Sequence, residues 1–281
     1  MKDLGIARKF LGMEIEYGNN GSIKVYQNQY IQQLLERHRM QDCNPVTTLL
    51  DTSLKLSSIT KNEPPTDPQE YTSIVGGLTF AAYVIGSDIA CAVSQLSQFL
   101  NKLSTTHMHA AKCILRYLRR TSTLRITYRP PLLRLKWYSD ANWAGDMDTR
   151  RSTTGYVVML NNGAIAWKSR CQPNVALSTM ESEYMALTDA IKKLKWVRTL
   201  LADLSYSNRK SNEPIELYSD NQDVITLAKN LVSSNVHWSS QTREWTGDLP
   251  AFSDFGSSSS YNSAKVTGSR ITTVTLSIEL I

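Results

Sequence analysis

A chain of 281 residues, 41% hydrophobic and 20% charged, carries enough apolar material for one large or two ordinary packed domains and reads as globular. Its formal charge of +6 and pI near 9.1 permit a polyanionic partner without requiring one. Cys43, Cys91, Cys113 and Cys171 form no CxxC pair with one another, which argues against a disulfide framework or a zinc knuckle and fits a reducing, intracellular setting. The opening MKDLGIARKF has no signal-peptide core. The longest apolar run, VGGLTFAAYVIG, has about half the residues of a spanning helix, so a soluble protein with no membrane partner is expected.

Residues 10–27 alternate on either side of a Gly-Asn-Asn-Gly turn, the pattern of a β-hairpin. NQYIQQLLERHRM then places Tyr30, Ile31, Leu34 and Leu35 at helical spacing. Residues 41–69, rich in Pro, Thr, Ser and Asp, read as an extended connector. Two apolar helices are predicted at about 70–85 and 88–101, separated by Gly86-Ser87-Asp88. In THMHAAKCILRYLRRTS, Ala111, Ile114, Leu115 and Leu118 can face a core while Lys112, Arg116, Arg119 and Arg120 project away. That basic face is either solvated or a surface for tracking phosphates. His107 and His109 diverge at i, i+2 on a helix, which argues against a metal role.

Pro130 and Pro131 mark a boundary. Beyond them LRLKWYSD alternates, GYVVML and AIAWKS flank an Asn-Asn-Gly turn, and NVAL is short and β-like, which suggests three antiparallel strands. A long helix follows, with Ser178 and Glu181 spaced as a capping box and an apolar stripe of Tyr184, Leu187, Ile191, Leu194, Val197, Leu201 and Leu204. PIELYSD is a further strand and NQDVITLAKN opens another helix. The order β-β-β-α-β-α over 132–230 predicts a mixed α/β layer fold. After Asn230 the chain turns Ser- and Thr-rich; only the last ten or so residues look strand-forming, and the rest of this tail is expected to be poorly ordered.

Three carboxylates stand out. Asp140 ends the first strand of the second region, Asp220 ends the fourth, and Glu183 lies in the first turn of the capped helix. Taken singly, Asp140 and Asp220 also suit turns or caps; Glu181 is explained by capping, and Asp146, Asp148 and Asp223 are ordinary loop or helix-start acids. What sets the three apart is a Tyr-Ser-Asp at each of two strand ends with the helical Glu between them. Converging carboxylates repel unless cations neutralise them, and hard oxygen ligands suit Mg²⁺ or Mn²⁺.

YSDANWAGDMDTRRSTTGYVVMLNNGAIAWKSRCQPNVALSTMESEYMALTDA and LYSDNQDVITLAKN closely resemble the ribonuclease H domain of copia-type LTR retrotransposon Pol polyproteins. Upstream, DLGIARKFLGMEIEY, YIQQLLERHRMQDCNPVTT, YTSIVGGLTFAAYVIGSDIACAVSQLSQFL and HMHAAKCILRYLRRT resemble the distal reverse transcriptase and connection of the same family. The resemblance spans residues 1–230. It implies a mainly helical remnant of the reverse transcriptase C-terminal region, with a β-hairpin, over 1–130. Over 132–230 it implies an α/β RNase H-like mixed sheet with packing helices. Carried over by position, the metal-binding, catalytic carboxylates are Asp140, Glu183 and Asp220, which would hold two Mg²⁺ ions, with Mn²⁺ as a substitute, for hydrolysis of the RNA strand of an RNA–DNA hybrid. Lys112, Arg116, Arg119 and Arg120 become candidates for hybrid phosphate contacts, with Arg150 and Arg151 as weaker ones.

The implied partners are the hybrid and the rest of the Pol polyprotein. The implied setting is intracellular, in a cytoplasmic virus-like particle, with nuclear access left open. Two departures qualify the match. No Tyr-x-Asp-Asp occurs, so polymerisation by this chain alone is not expected. The family's fourth carboxylate, in a segment of Arg-Thr-Lys-His-Ile-Asp type, has no match in NLVSSNVHWSSQTREWTGDLPAF, and Asp248 is left unassigned. Residues 231–281 read as a replaced or frameshifted end whose loss of the terminal elements would impair activity and expose one sheet edge. The rival reading is a catalytically inactive nucleic-acid-binding remnant.

Overall fold

The alternating residues around the Gly-Asn-Asn-Gly turn form strands β2 (Met13–Tyr17) and β3 (Ile23–Tyr26), paired antiparallel with Tyr17 opposite Ile23. Gly21, at φ +74°, supplies the left-handed residue of the turn, and the Gly18 N–H donates to the Ser22 carbonyl at 2.8 Å. In the computed structural model, residues 5–50, 54, 56–58, 66–101, 103–130, 135–204, 215–221, 236–242 and 272–278 are described. The chain divides into two units, Met1–Leu133 with Asn161–Ala164, and Arg134–Leu160 with Ile165–Ile281.

In the first unit the hairpin is extended by two short strands that the sequence pattern did not signal, β1 (Lys9–Phe10) and β4 (Ile126–Tyr128), in the order β1-β2-β3-β4. Helix α1 (Asn28–Arg37) buries Ile31, Leu34 and Leu35. It stops short of Met40 because Arg39 takes φ +53° and the Met40 N–H turns back to the Leu35 carbonyl, a Schellman-type end without glycine. Helix α2 (Pro68–Val84) starts with Pro68 in its first turn and the Asp67 carboxylate accepting the Gln69 N–H at 2.9 Å. A Cβ at Gly77 would lie 2.3 Å from Leu34 Cδ1, so the absence of a side chain there is what lets α1 approach α2. The Tyr30 hydroxyl fixes the contact by donating to the Gly77 carbonyl at 2.9 Å.

The helix predicted over 88–101 is shorter, α3 (Ala90–Leu96), and tightens into a 3₁₀ turn at Ser97–Phe99. Helix α4 (Thr105–Thr121) buries Ala111, Ile114, Leu115 and Leu118 as its spacing predicts. His107 is also buried: its Nδ1 accepts the Ser104 N–H at 3.1 Å in a capping box, and its ring stacks on Phe99 at 4.2 Å.

The second unit contains β5 (Leu135–Asn142), β6 (Thr153–Leu160), β7 (Gly163–Cys171), α5 (Thr179–Asp203), β8 (Ile215–Ser219), β9 (Val236–Thr242) and β10 (Thr272–Ile278). The sheet order is β7-β6-β5-β8-β10-β9; β5 runs parallel to β8, and the β5–β6, β8–β10 and β9–β10 pairs are antiparallel. Asn161 and Asn162, at φ +50° and +66°, make the tight turn between β6 and β7 that two left-handed residues allow. One face of the sheet packs on α5 through Trp137, Tyr156, Val158, Leu217, Leu187, Ala190, Leu194 and Val197.

Three expectations are corrected. Asn174–Leu177 is loop rather than strand, between β7 and α5. The stripe on α5 is cut at both ends, because Tyr184 and Leu204 are exposed. At about 1.5 Å per residue the helix is longer than the strands it covers, so its C-terminal end leaves Leu200 and Leu204 exposed, whereas its first turn is docked, with Ser182 and Glu183 buried and Tyr184 on the outer side. The tail contains a strand, β9, beyond the one expected near the end, and β10 pairs along β8, so β8 is not left as a sheet edge. The helix predicted from Asn221 onward, together with Asp223 and Asp248, lies outside the described residues. No helix among the described residues is long and apolar enough to cross a membrane.

Candidate metal centre

The two Tyr-Ser-Asp triplets meet because β5 and β8 pair in parallel with Trp137 opposite Leu217 and Tyr138 opposite Tyr218. With Trp137 and Leu217 in the core and side chains alternating along each strand, Ser139 and Ser219 are buried next in line; Asp220 directly follows β8, whereas Asp140 does not end its strand as expected, because β5 runs two residues further to Asn142. The third carboxylate is delivered by α5. Its start is pinned by Ser178, whose Oγ accepts the Glu181 N–H at 3.1 Å, while Glu181 Oε2 accepts the Leu177 N–H at 2.7 Å. The expected capping box is therefore present with its return bond one residue upstream.

Asp140, Glu183 and Asp220 each offer a carboxylate oxygen within 4.8 Å of the others. Glu183 is buried, Asp140 half-buried and Asp220 exposed, so the cluster opens to solvent on the Asp220 side. Glu183 Oε1 accepts the Ala141 N–H at 3.2 Å, whereas its Oε2 is buried with no hydrogen-bond partner. Burial, then the charge of Asp220, pushes the Asp140 carboxyl up to about 6. Burial, then the charges of Asp140 and Asp220, pushes Glu183 up to about 9. Both shifts mark negative charge that the protein does not itself neutralise. An unsatisfied buried carboxylate oxygen among three crowded carboxylates fits a hard divalent cation, for which oxygen ligands are the natural shell.

Three further residues lie around the site, of which Gln172 was not singled out by any local sequence pattern, Ser182 lies in the capped turn and Ser139 belongs to the first Tyr-Ser-Asp triplet. Gln172 is buried and its Nε2 donates to Thr154 Oγ1 at 3.0 Å and to the Ser182 carbonyl at 2.9 Å. It thus ties β6 to the first turn of α5, one residue before Glu183. Ser182 Oγ donates to the Thr179 carbonyl at 2.7 Å. Ser139 lies buried beside Asp140, its hydroxyl without a partner. Asp146 behaves as the loop acid it was read to be, accepting the N–H groups of Asp148 and Thr149.

The basic candidates are not equivalent. Lys112 pairs with Glu70 at 2.9 Å, Arg116 Nε donates to the Asn44 carbonyl at 2.7 Å, and Arg119 donates to the Cys43 carbonyl. These three hold the 43–44 loop and α2 against α4; Arg120 is exposed. Arg150 and Arg151 are exposed on the loop between β5 and β6.

Fold and site together define a mixed α/β protein with a three-carboxylate centre suited to divalent cations. The chain is 39% identical over 239 residues to the retrovirus-related Pol polyprotein from transposon TNT 1-94 of Nicotiana tabacum, covering 82% of this chain and 18% of that protein. It is 38% identical over 233 residues to the corresponding polyprotein from transposon RE1 of Arabidopsis thaliana, covering 83% and 16%. A secreted RxLR effector protein of Plasmopara viticola is 44% identical over 128 residues, 45% of this chain and 90% of that protein. No protein-family model matches the chain. The chain belongs to the copia-type, retrovirus-related Pol polyproteins of transposons, and it spans less than a fifth of the length of either Pol relative.

Proposed function

We propose that residues 132–230 form an RNase H-like domain that hydrolyses the RNA strand of RNA–DNA hybrids, and that residues 1–130 derive from the distal reverse transcriptase and connection. The observation that carries this reading is the meeting of Asp140, Glu183 and Asp220 within 4.8 Å, with Glu183 Oε2 buried and unpartnered. Membership in the Pol family supports it independently.

In this reading Asp140, Glu183 and Asp220 are the ligands of two Mg²⁺ ions. When bound, the ions supply the positive charge that lowers the pKa of an attacking water and stabilises the leaving 3′ oxygen. Asp140 and Glu183 deliver the anionic charge from rigid positions, because one lies within a central strand and the other sits in a capped helical turn. The Ala141 N–H orients Glu183 and leaves its second oxygen free for ligation. The more exposed Asp220 stands at the mouth, where the scissile phosphate enters. Hybrid recognition would rest on backbone and 2′-hydroxyl contacts, which suit an enzyme indifferent to sequence.

Cleavage of an end-labelled RNA–DNA hybrid, with and without Mg²⁺ and with Asp140→Asn as control, tests the reading. Mg²⁺-dependent cutting that disappears in the variant is expected. A cooperatively folded chain that binds hybrid in a salt-dependent way without cutting it would replace this reading with that of an inactive nucleic-acid-binding domain.

A further inference from the structure

The outer side of α5 carries an apolar ridge that the sheet does not use. The helix packs on the strands through Leu187, Ala190, Leu194 and Val197. Trp196, Leu200 and Leu204 follow one another at i, i+4 and i+8 along a different stripe, and they are 54%, 41% and 56% exposed. Neighbours at this spacing lie about 5–6 Å apart at Cβ, so the three form one continuous surface rather than scattered side chains. Lys193 Nζ sits over the Trp196 ring, 3.5 Å from its centroid, and closes one flank of the ridge.

The charges on this part of α5 do not all belong to the ridge. Asp189 is held by Lys168 at 3.0 Å and by Lys192 at 3.8 Å. Lys195 and Arg198 lie about 100° and 160° around the helix from Trp196, off the ridge. What the ridge itself presents is Lys193 toward its start and Asp203 toward its end, and neither has an ion-pair partner among the described residues.

A cation and a carboxylate at opposite ends of an apolar ridge complement a second copy of the same ridge run the other way. With two helices antiparallel about a two-fold axis level with Arg198, Trp196 of one copy meets Leu200 of the other, Lys193 meets Asp203, and the stem of Lys192 lies along Leu204. Each contact is then made twice. A parallel pairing would set Lys193 against Lys193 and Asp203 against Asp203, and a nucleic acid gives no reason for the apolar stripe or for Asp203.

We infer that this chain self-associates through α5 as an antiparallel two-fold dimer centred on Trp196 and Leu200. The association is weak. Trp196, Leu200 and Leu204 offer on the order of 300 Å² of apolar surface per copy, well under the roughly 800 Å² that each partner contributes to a standard interface. The dissociation constant is therefore on the order of 100 µM, which suits a dimer made where copies are crowded together. The pairing keeps clear of the carboxylate centre, because Glu183 lies about 20 Å along the helix from Trp196.

Sedimentation equilibrium of the full chain from about 10 µM to about 500 µM tests the dimer. The average mass is expected to rise with concentration toward twice that of the chain, and Trp196→Ala to weaken association at least about tenfold. Lys193→Glu and Asp203→Lys each set like charges against one another at both ends and should stay monomeric over the range. Mixed in equal amounts, the two variants should dimerise about as tightly as the parent, because every facing pair is then opposite in sign. Within one chain these positions are about 15 Å apart, beyond a Debye length at physiological salt, so the recovery has no source inside a single copy. It also excludes misfolding as the cause of either variant's monomeric state. A folded parent that is monomeric at every concentration overturns the dimer, as does a dimer that survives both charge variants or is not restored by mixing them. A mass that rises only on adding RNA–DNA hybrid also overturns it, in favour of association through nucleic acid. The proposed cleavage is tested separately by Asp140→Asn and stands or falls apart from these outcomes.

Discussion

Tyr138 of β5 and Tyr218 of β8 face each other across a parallel strand pair and stack, with ring centroids 4.9 Å apart and planes 16° apart. The stack aligns two identical Tyr-Ser-Asp triplets residue for residue, and it thereby sets which carboxylates end side by side. A one-residue slip of either strand would turn its serine out of the interior and put the aspartates out of step. A double-mutant cycle on Tyr138→Ala and Tyr218→Ala is expected to give a coupling of about 0.5–1.5 kcal/mol in urea unfolding. Each single variant should also need more Mg²⁺ for half-maximal cleavage.

The crowding of Asp140 and Glu183 makes stability without metal depend on pH. Both folded-state pKa values are raised, to about 6 and about 9, above ordinary values of 3.8 and 4.5. The folded chain therefore holds more protons than the unfolded chain between those limits. The contribution is fully present below about pH 4 and is lost as pH rises toward 9, at a slope of up to about 1.4 kcal/mol per pH unit for each proton held only by the folded state. Thermal melts in EDTA from pH 4 to pH 9 should show a falling Tm attributable to this pair, and Mg²⁺ should raise Tm more at pH 8 than at pH 5. A Tm that rises over this range and tracks Asp140 and Glu183 would contradict the assignment.

Glu183→Gln separates stability from activity. It removes the cost of protonating a buried carboxyl while keeping an oxygen to accept the Ala141 N–H. At pH 8 without metal the variant is expected to be more stable than its parent by at least about 1 kcal/mol. It should also lose Mg²⁺-dependent cleavage and most of the stabilisation that Mg²⁺ gives the parent. Calorimetry with and without 10 mM Mg²⁺, a concentration chosen as roughly saturating, reads all three effects.

Gln172→Leu keeps a similar volume and removes both donors to Thr154 and Ser182. A loss of about 1–3 kcal/mol is expected, since the Ser182 carbonyl and Thr154 hydroxyl are left in the interior. Because the lost bonds adjoin Glu183, metal-dependent cleavage should fall more steeply than the change in folded fraction explains. Parallel denaturation and cleavage assays below the melting transition check this.

The basic residues of α4 should divide by what they touch. Arg116→Ala loses the bond to the Asn44 carbonyl and is expected to lower stability by about 0.5–1.5 kcal/mol, since water can reach the exposed carbonyl. Arg120→Ala, at an exposed position, should leave stability within about 0.5 kcal/mol. If Arg120 meets a phosphate, its removal lowers the salt slope of hybrid binding by about one. Urea unfolding and salt-titrated binding of the two variants distinguish the roles.

Local pattern made much of this protein legible. The hairpin turn, the apolar spacing of α1 and α4, the capped start of α5 and the strand order before Asn221 all follow from neighbours a few residues apart. The three carboxylates were legible for a different reason, since a repeated Tyr-Ser-Asp at two strand ends survives in one dimension. The reach of α5 beyond its sheet was not legible, because helical spacing gives a face and no length of partner. Neither were β1 and β4, which are too short to show a period and exist through pairing; Val25 finds Ile126 across most of the first unit.

The sequence by itself determined which residues could be buried, where helices begin, and which acids had the chemistry for a cation. Tertiary structure alone decided that β5 and β8 lie parallel in one register, that Gln172 ties Glu183's turn to β6, and that Lys112, Arg116 and Arg119 hold loops before they can hold phosphates. The physical reason is the range of the interactions. Propensity, capping and amphipathic spacing act over a few residues, whereas the electrostatic cost of gathering three carboxylates within 4.8 Å exists only after strands far apart in the chain have paired.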